Sequence, residues 1–415
     1  MLVIPVDVPY GIKVNKGERK RSKNERKGRG PGFASVAVLL LLLAILVPAG
    51  LSVWKQKIAL QWVQEQGGFH NTQTNWLTER MPHSFTSWLD DRDWLEALET
   101  ENRIVLKGTQ IGDAGLEHLK HLTSLKILDL SKTKVGDAGL EHLKSLTSLT
   151  FLDLTETQVS EVGLNHIKDL ASLTGLLLNG TQVGEGGLEC LKGMNSLVQL
   201  ELRGTQVGDA GLKQLSGLHS LKFLYLGGTQ VGDAGLEHLK GMTSLRDLDL
   251  QGTHVGDAGL EHLKSLTSLE ILGLPGTQVG EAGLEHLKGL SSLGGLFLGG
   301  TQVGDAGLER IKGLSSLKWL SLVNTQVGDA GLAHLQELTS LVHLDLEGTQ
   351  ISDAGLHHLE GLESLKILKL KGTRVSDAGL EHLKDIGSLR ELDLTGSKVT
   401  QAGVDRLPPS ISVKF

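Results

Sequence analysis

Along most of the chain, apolar and polar positions follow two rhythms joined end to end. Leu152 and Leu154 alternate around Asp153, the spacing of a short strand with one side turned inward. Leu140, Leu143, Leu146 and Leu149 step by three, which predicts a helical or 3-10 stripe packed behind that strand, with Val135 closing the core. The phrase returns every 24 residues, marked by Thr109, Thr133, Thr157 and so on to Thr373, and closed by Ser397. No insertion breaks the register. The unit reads T-x-V-G-D-A-G-L-E-H-L-K-x-L-T-S-L-x-x-L-x-L-x-x.

A period of 20–29 residues carrying L-x-x-L-x-L is the leucine-rich-repeat signature. It predicts an α/β solenoid, a horseshoe with a parallel concave sheet and short convex helices. Parallel strands stack ~4.8 Å apart, so about thirteen strands should give a sheet roughly 60 Å long. The column before the acid holds Gly, Ser or Thr (Gly136, Ser160, Thr400), the helix N-cap set. The next column is Asp or Glu except at Gln401, and a carboxylate there complements the positive end of a short helix. The Thr column is expected to bond the adjoining turn and to form a hydroxyl ladder along the stack.

Residues 109–396 make twelve such units, and residues 397–415 a degenerate capping repeat stopped by Pro408 and Pro409. Ahead of them, residues 69–108 read as an N-terminal cap and first strand, with Trp76, Phe85, Trp88 and Trp94 covering the open end. Residues 55–68 read as an amphipathic helix ending at Gly67-Gly68. Residues 33–54 carry no charge and include five consecutive leucines, enough for a transmembrane signal-anchor. Trp54 stands where an interfacial aromatic is expected. The tail at 1–32 holds nine Lys/Arg against three acids, which predicts that this end stays in the cytoplasm and that the repeats are exported to a bacterial periplasm or envelope. The alternative is secretion after cleavage near Ala49, where Val47 and Ala49 are small residues at the right spacing.

Charge divides the same way. The tail is +6 and the whole chain −7, leaving −13 on residues 33–415. An acidic body argues against nucleic acid, and a basic head suits an anionic membrane surface. A single cysteine, Cys190, rules out an internal disulfide. Nine histidines, among them His238, His262, His358 and His382, share one helical column, but a straight ladder does not supply a tetrahedral zinc site. No phosphate-binding loop, zinc-protease motif or nucleophile elbow occurs, so no cofactor, metal, small-molecule substrate or enzymatic activity is expected. Asn179-Gly-Thr181 matches a glycosylation sequon inside the repeat ladder.

The unit T-x-V-G-D-A-G-L-E-H-L-K, preceded by Leu39–Leu46 and by the helix running from Ala59 to Gly68, resembles the membrane-linked leucine-rich-repeat proteins abundant in planctomycete bacteria. It is also similar to the Thr-Asp-x-Gly-Leu repeats of eukaryotic F-box adaptors, although their cysteine is missing and no F-box precedes it. Either resemblance implies an interaction scaffold and brings no catalytic residue.

Comparing units within the chain separates fixed columns from free ones. The third, fifth and seventh positions of L-x-x-L-x-L-x-x vary and are expected to line the concave face. All five aromatics of the complete repeats lie there: Phe151, Phe223, Tyr225, Phe297 and Trp319. The expected contact patch takes Phe223, Tyr225, Phe297 and Trp319 as anchors and Asp247, Asp249, His343 and Asp345 as a polar rim. Gly273, Gly295 and Gly299 leave room for a partner. The competing view is that these aromatics cover neighbouring strands and each other. The expected function is a non-catalytic, membrane-anchored module binding a protein or peptide. The alternatives are a self-associating or wall-binding structural protein and a cytosolic adaptor.

Overall fold

The computed structural model describes residues 102–415. The basic tail, the apolar segment at 33–54, the helix at 55–68 and the tryptophan-rich cap up to residue 101 lie outside those residues. Among the described residues no helix is long and apolar enough to cross a membrane.

Each unit gives one three-residue strand. Fourteen of them, β1 (Arg103–Val105) to β14 (Ser412–Lys414), form a single all-parallel sheet in sequence order. The 24-residue period sets the register: Ile104 lies beside Leu128, and Leu128 beside Leu152. The middle residue of each strand points into the core, so the central leucines are closed to solvent along the array. Behind the strand, Asp137–Leu140 make one α turn and Glu141–Leu143 continue as 3-10 helix. A 3-10 turn has three residues, so side chains at i and i+3 eclipse; this is why leucines spaced by three can all enter one core. Leu140, Leu143, Leu146 and Leu149 are fully buried.

The acid column does more than complement its own helix. Asp233 Oδ1 accepts the backbone N–H of Gly256 at 2.7 Å, and Asp209, Asp257, Asp305 and Asp353 do the same 23 residues onward. The acceptor thus lies in one unit and the donor ahead of the next unit's helix. Where the N-cap is Ser or Thr, its hydroxyl donates a second bond to the same carboxylate, as Ser160 does to Asp137 at 2.6 Å and Thr400 to Asp377 at 2.7 Å. Two of these hydroxyls also accept from the backbone two residues on, Ser160 from Val162 N at 3.2 Å and Ser376 from Ala378 N at 3.4 Å. The carboxylate joins repeats as a charge-assisted bond to a backbone donor. The exception at position 401, Gln401, donates from Nε2 to Asp405 Oδ1 at 2.7 Å at the end of its own helix.

The D-A-G-L glycine belongs to the same joint. A Cβ at Gly259 would lie 2.5 Å from Asp233 Oδ1 and 3.1 Å from Asp233 Cα. Gly139, Gly163, Gly235, Gly331 and Gly355 meet their preceding aspartates similarly.

Two expectations need correction. The threonine hydroxyls do not run from unit to unit. Each donates three residues back across the adjoining turn to the carbonyl of the leucine that follows the strand, as Thr253 does to Leu250 O at 2.7 Å and Thr133 to Leu130 O at 2.7 Å, so the expected turn bond forms but no ladder of hydroxyls does. The chain also does not stop at Pro408 and Pro409. Proline cannot continue a helix but tolerates extended backbone at an edge. Leu407 and Ile411 enter the core, and β14 pairs with β13 (Glu391–Asp393) through Glu391 and Ser412, 21 positions on instead of 24.

The turn leaving each strand needs a left-handed residue just before the threonine. Glycine supplies it at most units, but Lys132 (φ 59°) and Glu156 (φ 55°) adopt it with side chains attached. A left-handed non-glycine residue costs about 1–2 kcal/mol, while glycine loses more backbone entropy on folding. Their mutual ion pair at 3.3 Å is exposed and contributes little. Lys132→Gly is therefore expected to raise stability by about 0.5–1 kcal/mol in a urea titration followed by circular dichroism. A loss would show that the turn is not strained.

Candidate functional site

The first and third residues of each strand face away from the core leucines, and the residue two further on continues the same face. The relevant strands are β5 (Gln199–Glu201), β6 (Phe223–Tyr225), β7 (Asp247–Asp249), β8 (Ile271–Gly273), β9 (Gly295–Phe297), β10 (Trp319–Ser321), β11 (His343–Asp345) and β12 (Ile367–Lys369). None of Phe223, Tyr225, Phe297 and Trp319 enters the core between sheet and helices. All four stand on the sheet face.

Exposure divides them. Trp319 is 42 % exposed and Phe297 half-buried, while Phe223 and Tyr225 keep only 4 % and 2 % of their surface. The expectation that all four are open anchors fails for Phe223 and Tyr225. The reason is the packing of their neighbours. The Arg203 guanidinium lies 4.2 Å from the Tyr225 ring centroid, a cation–π contact. Arg203 is held there by Asp249, 2.8 Å from its Nε, and by Glu201 at 3.6 Å. Gln199 Nε2 donates to Glu201 at 2.7 Å, and Asn179 Nδ2 donates to the same carboxylate. The Tyr225 hydroxyl donates to Asp247 Oδ2 at 3.0 Å. The register explains the set, since Glu201, Tyr225 and Asp249 are consecutive cross-strand neighbours.

Asn179, Gln199, Glu201 and Arg203 were not among the candidates. Their signal was present in the aligned columns, where an arginine and three acids flank one tyrosine. The same network engages the sequon: Asn179 spends its amide on Glu201 and its carbonyl oxygen on Arg203 N at 2.9 Å.

Burial, with Asp247 and Glu201 nearby, pushes the Tyr225 phenol far above its ordinary value of about 10. The folded state thus holds the proton more tightly than the unfolded chain. Its contribution is complete below about pH 10 and declines as pH rises beyond it. In an alkaline titration followed by tyrosinate absorbance, Tyr225 is expected to ionise only as the array unfolds. Tyr225→Phe should remove that late step; if the step persists, the assignment is wrong.

The rim acids have structural duties too. Asp249 Oδ1 accepts from Gln251 N at 3.0 Å and Asp345 Oδ1 from Glu347 N at 3.1 Å, each closing the turn after its own strand. Asp345 also pairs with Lys369 at 3.3 Å, and Lys371 with Glu347. His343 is half-buried, and burial, with Lys369 adding to it, holds its imidazole below the usual histidine range.

Between these groups the sheet face turns apolar. Gly273 and Gly295 are buried there, and Ile271, Pro275, Phe297, Trp319 and Val323 around them are only partly covered. A Cβ at Gly273 would come 3.0 Å from Asp249 Oδ1, so that carboxylate lies against it. The Phe297 ring edge lies over Gly295, and the Trp319 ring edge lies over Gly294, 3.4 and 3.9 Å from where their Cβ atoms would be. To this extent the aromatics do cover neighbouring glycines, as the competing view holds.

The helical face offers less. Among the described residues no group of His, Cys, Asp and Glu could hold a metal ion. His382 bonds Glu360 and His358 bonds Gln336, while the His357 ring lies tilted against that of His358, centroids 3.7 Å apart. Cys190 lies at an open cavity of 330 Å³, its thiol donating to Asn165 at 3.3 Å; burial pushes its pKa up, away from thiolate reactivity.

Comparison with known proteins agrees with this architecture. Residues 121–144, 193–216, 217–240, 241–264 and 337–357 match the family described as Leucine Rich repeat. An internalin (inlF) from Listeria monocytogenes superposes with a TM-score of 0.55 at 21 % identity, over 70 % of this chain and 86 % of that one. A second Listeria internalin (inlC2) gives 0.37 at 26 % identity, over 57 % and 84 %. A leucine-rich-repeat protein of Leptospira interrogans gives 0.44 at 18 % identity, over 72 % and 80 %. No curated protein matches the sequence. The first superposition establishes a shared fold, a solenoid of leucine-rich repeats.

Proposed function

We propose that this chain is a non-catalytic scaffold that holds a protein or peptide partner on the open face of its sheet. Residues 33–54 would tether it to a membrane, with the repeats displayed on the exported side. The observation that carries the binding reading is Trp319, a large aromatic left 42 % exposed on the sheet face while the central strand leucines from Leu128 to Leu392 are closed to solvent. Exposed aromatics are costly as solvated groups and common as interface anchors. The tether reading rests on the uncharged run and on the nine cations preceding it.

A photo-crosslinking amino acid at Ser321, on the sheet face, should capture a partner in native membranes. The same group at Glu309, on the helical side, should not. Equal capture from both positions, or none from either, overturns the reading. Protease added outside intact spheroplasts is expected to digest the repeats and spare the tail at 1–32; protection of the repeats would reverse the topology.

A further inference from the structure

The carboxylate joint is missing on both sides of one unit. Among the described residues, Asp137 accepts from Ser160 N and Asp209 from Gly232 N, but no such bond reaches the amides of Gly184 and Gly208 between them. The acids in the supplying positions are Glu161 and Glu185. A glutamate carries its carboxylate one methylene further from the backbone. Glu161 Oε2 comes to rest 3.5 and 3.3 Å from where Cβ atoms of Gly184 and Gly186 would be, beside the amide without bonding it. Glu281 likewise gives nothing to Gly304, but the two units at that seam each keep a joint on their other side, through Asp257 and Asp305. The unit at 181–204 keeps neither.

Further features fall on the same unit. Its helix, Glu185–Leu191, is 3-10 throughout, and Gly186 stands where other units carry alanine or valine. Its exit is irregular. Lys192 has ψ 126°, whereas Lys240 in a regular unit stays helical at −25°, and Gly193 turns left-handed at φ 90°. The open cavity of 330 Å³ also lies here, between Asn165 and Lys168 of the preceding unit and Gly186 and Cys190 of this one. The sheet side is the opposite. Beside the pairing of β4 (Gly175–Leu177), β5 and β6, Asn179 bonds both Glu201 and Arg203 N, and Arg203 reaches Asp249 two units on. At the turn between sheet and helix, Gln182 N and Gln206 N still donate to Val159 O and Val183 O.

We infer that the solenoid flexes at the unit 181–204, its helical side opening and closing while its sheet side stays held by strand pairing and the side-chain network. In a repeat array, stability is a sum of unit terms and nearest-neighbour terms, so opening is easiest where a unit lacks the joint to both neighbours. Spreading one side of a stack while the other stays fixed changes its bend. The motion therefore swings β1 to β4 relative to the strands that carry Trp319 and leaves the sheet continuous. It needs no partner and does not rest on the sheet-face reading.

Distances between two nitroxide labels on the full chain in detergent test this, with Cys190→Ser removing the native thiol. One pair, at the exposed positions 144 and 216, spans the unjoined unit. The other, at 312 and 384, is equally far apart in sequence and spans three intact joints, from Asp305, Asp329 and Asp353. The first pair should give a distance distribution about twice as wide as the second, and hydrogen exchange at residues 185–191 should run about tenfold faster than at 233–239. Glu161→Asp combined with Glu185→Asp should narrow the first distribution to the width of the second and slow that exchange, since the receiving glycines, Gly187 and Gly211, are already in place. Asp233→Glu should do the reverse, speeding exchange at residues 257–263. Equal widths for the two pairs, or a double variant no narrower than the parent, overturns the inference. So does exchange in Gln199–Glu201 that rises together with that of the helix, because the whole unit would then unfold instead of opening on one side.

Discussion

Gly259→Ala is expected to destabilise the array by about 2–4 kcal/mol, although it adds a single methyl group. The added carbon would stand 2.5 Å from Asp233 Oδ1, and moving that carboxylate breaks its bond to Gly256 N. The contacts at Asp233 Cα (3.1 Å) and Leu236 Cδ1 (3.2 Å) allow no simple escape. Gly241→Ala is the matched control. Nothing lies within 4 Å of its Cβ position, and its backbone is not left-handed. That change should stay within about 0.5 kcal/mol. Because the clash involves the preceding unit's acid, Asp233→Ala combined with Gly259→Ala should cost less than the two single losses together. Equal losses at positions 259 and 241 in a urea titration would refute the joint.

The second large effect separates two adjacent residues. Leu320 fills the core at the centre of β10, and Leu320→Ala should cost about 3–4 kcal/mol through the cavity it leaves. Trp319→Ala, one residue earlier, should change stability by about 0.5 kcal/mol or less and weaken partner binding by about thirtyfold or more. A Trp319→Ala chain that unfolds like Leu320→Ala would make the indole a packing residue and remove the anchor.

Most of the fold was legible because it depends on periodicity. The strand alternation around Asp153 and the three-residue step from Leu140 to Leu149 each fix one face of one element, and a fixed period stacks them in order. What could not be read depends on contacts between units. The acid at Asp233 was interpreted through the helix it begins, since nothing local shows that its carboxylate reaches residue 256. Position within a column tells which side of the sheet a residue takes, not how far its neighbours cover it. Tyr225 and Trp319 occupy such columns alike, yet Arg203 closes over one while the other stays open. The strand after Pro408 and Pro409 was missed because proline was taken as an end, when it ends only the helical hydrogen bonding.

The joint also has a consequence for how such a chain can change in length. Its two halves, an aspartate and the glycine that makes room for it, recur in phase with the gene segment encoding each unit. Unequal recombination between copies, adding or deleting one whole aspartate-bearing segment, would leave its carboxylate facing a suitable glycine and a waiting amide. The polarity is preserved as well, since each aspartate of the column gives its carboxylate forward to the amide 23 residues on, whereas the glutamates at 161, 185 and 281 make no such bond. Such a molecule can lengthen or shorten its display surface without redesigning an interface, so the varied face could diversify by gain and loss of modules as readily as by point substitution.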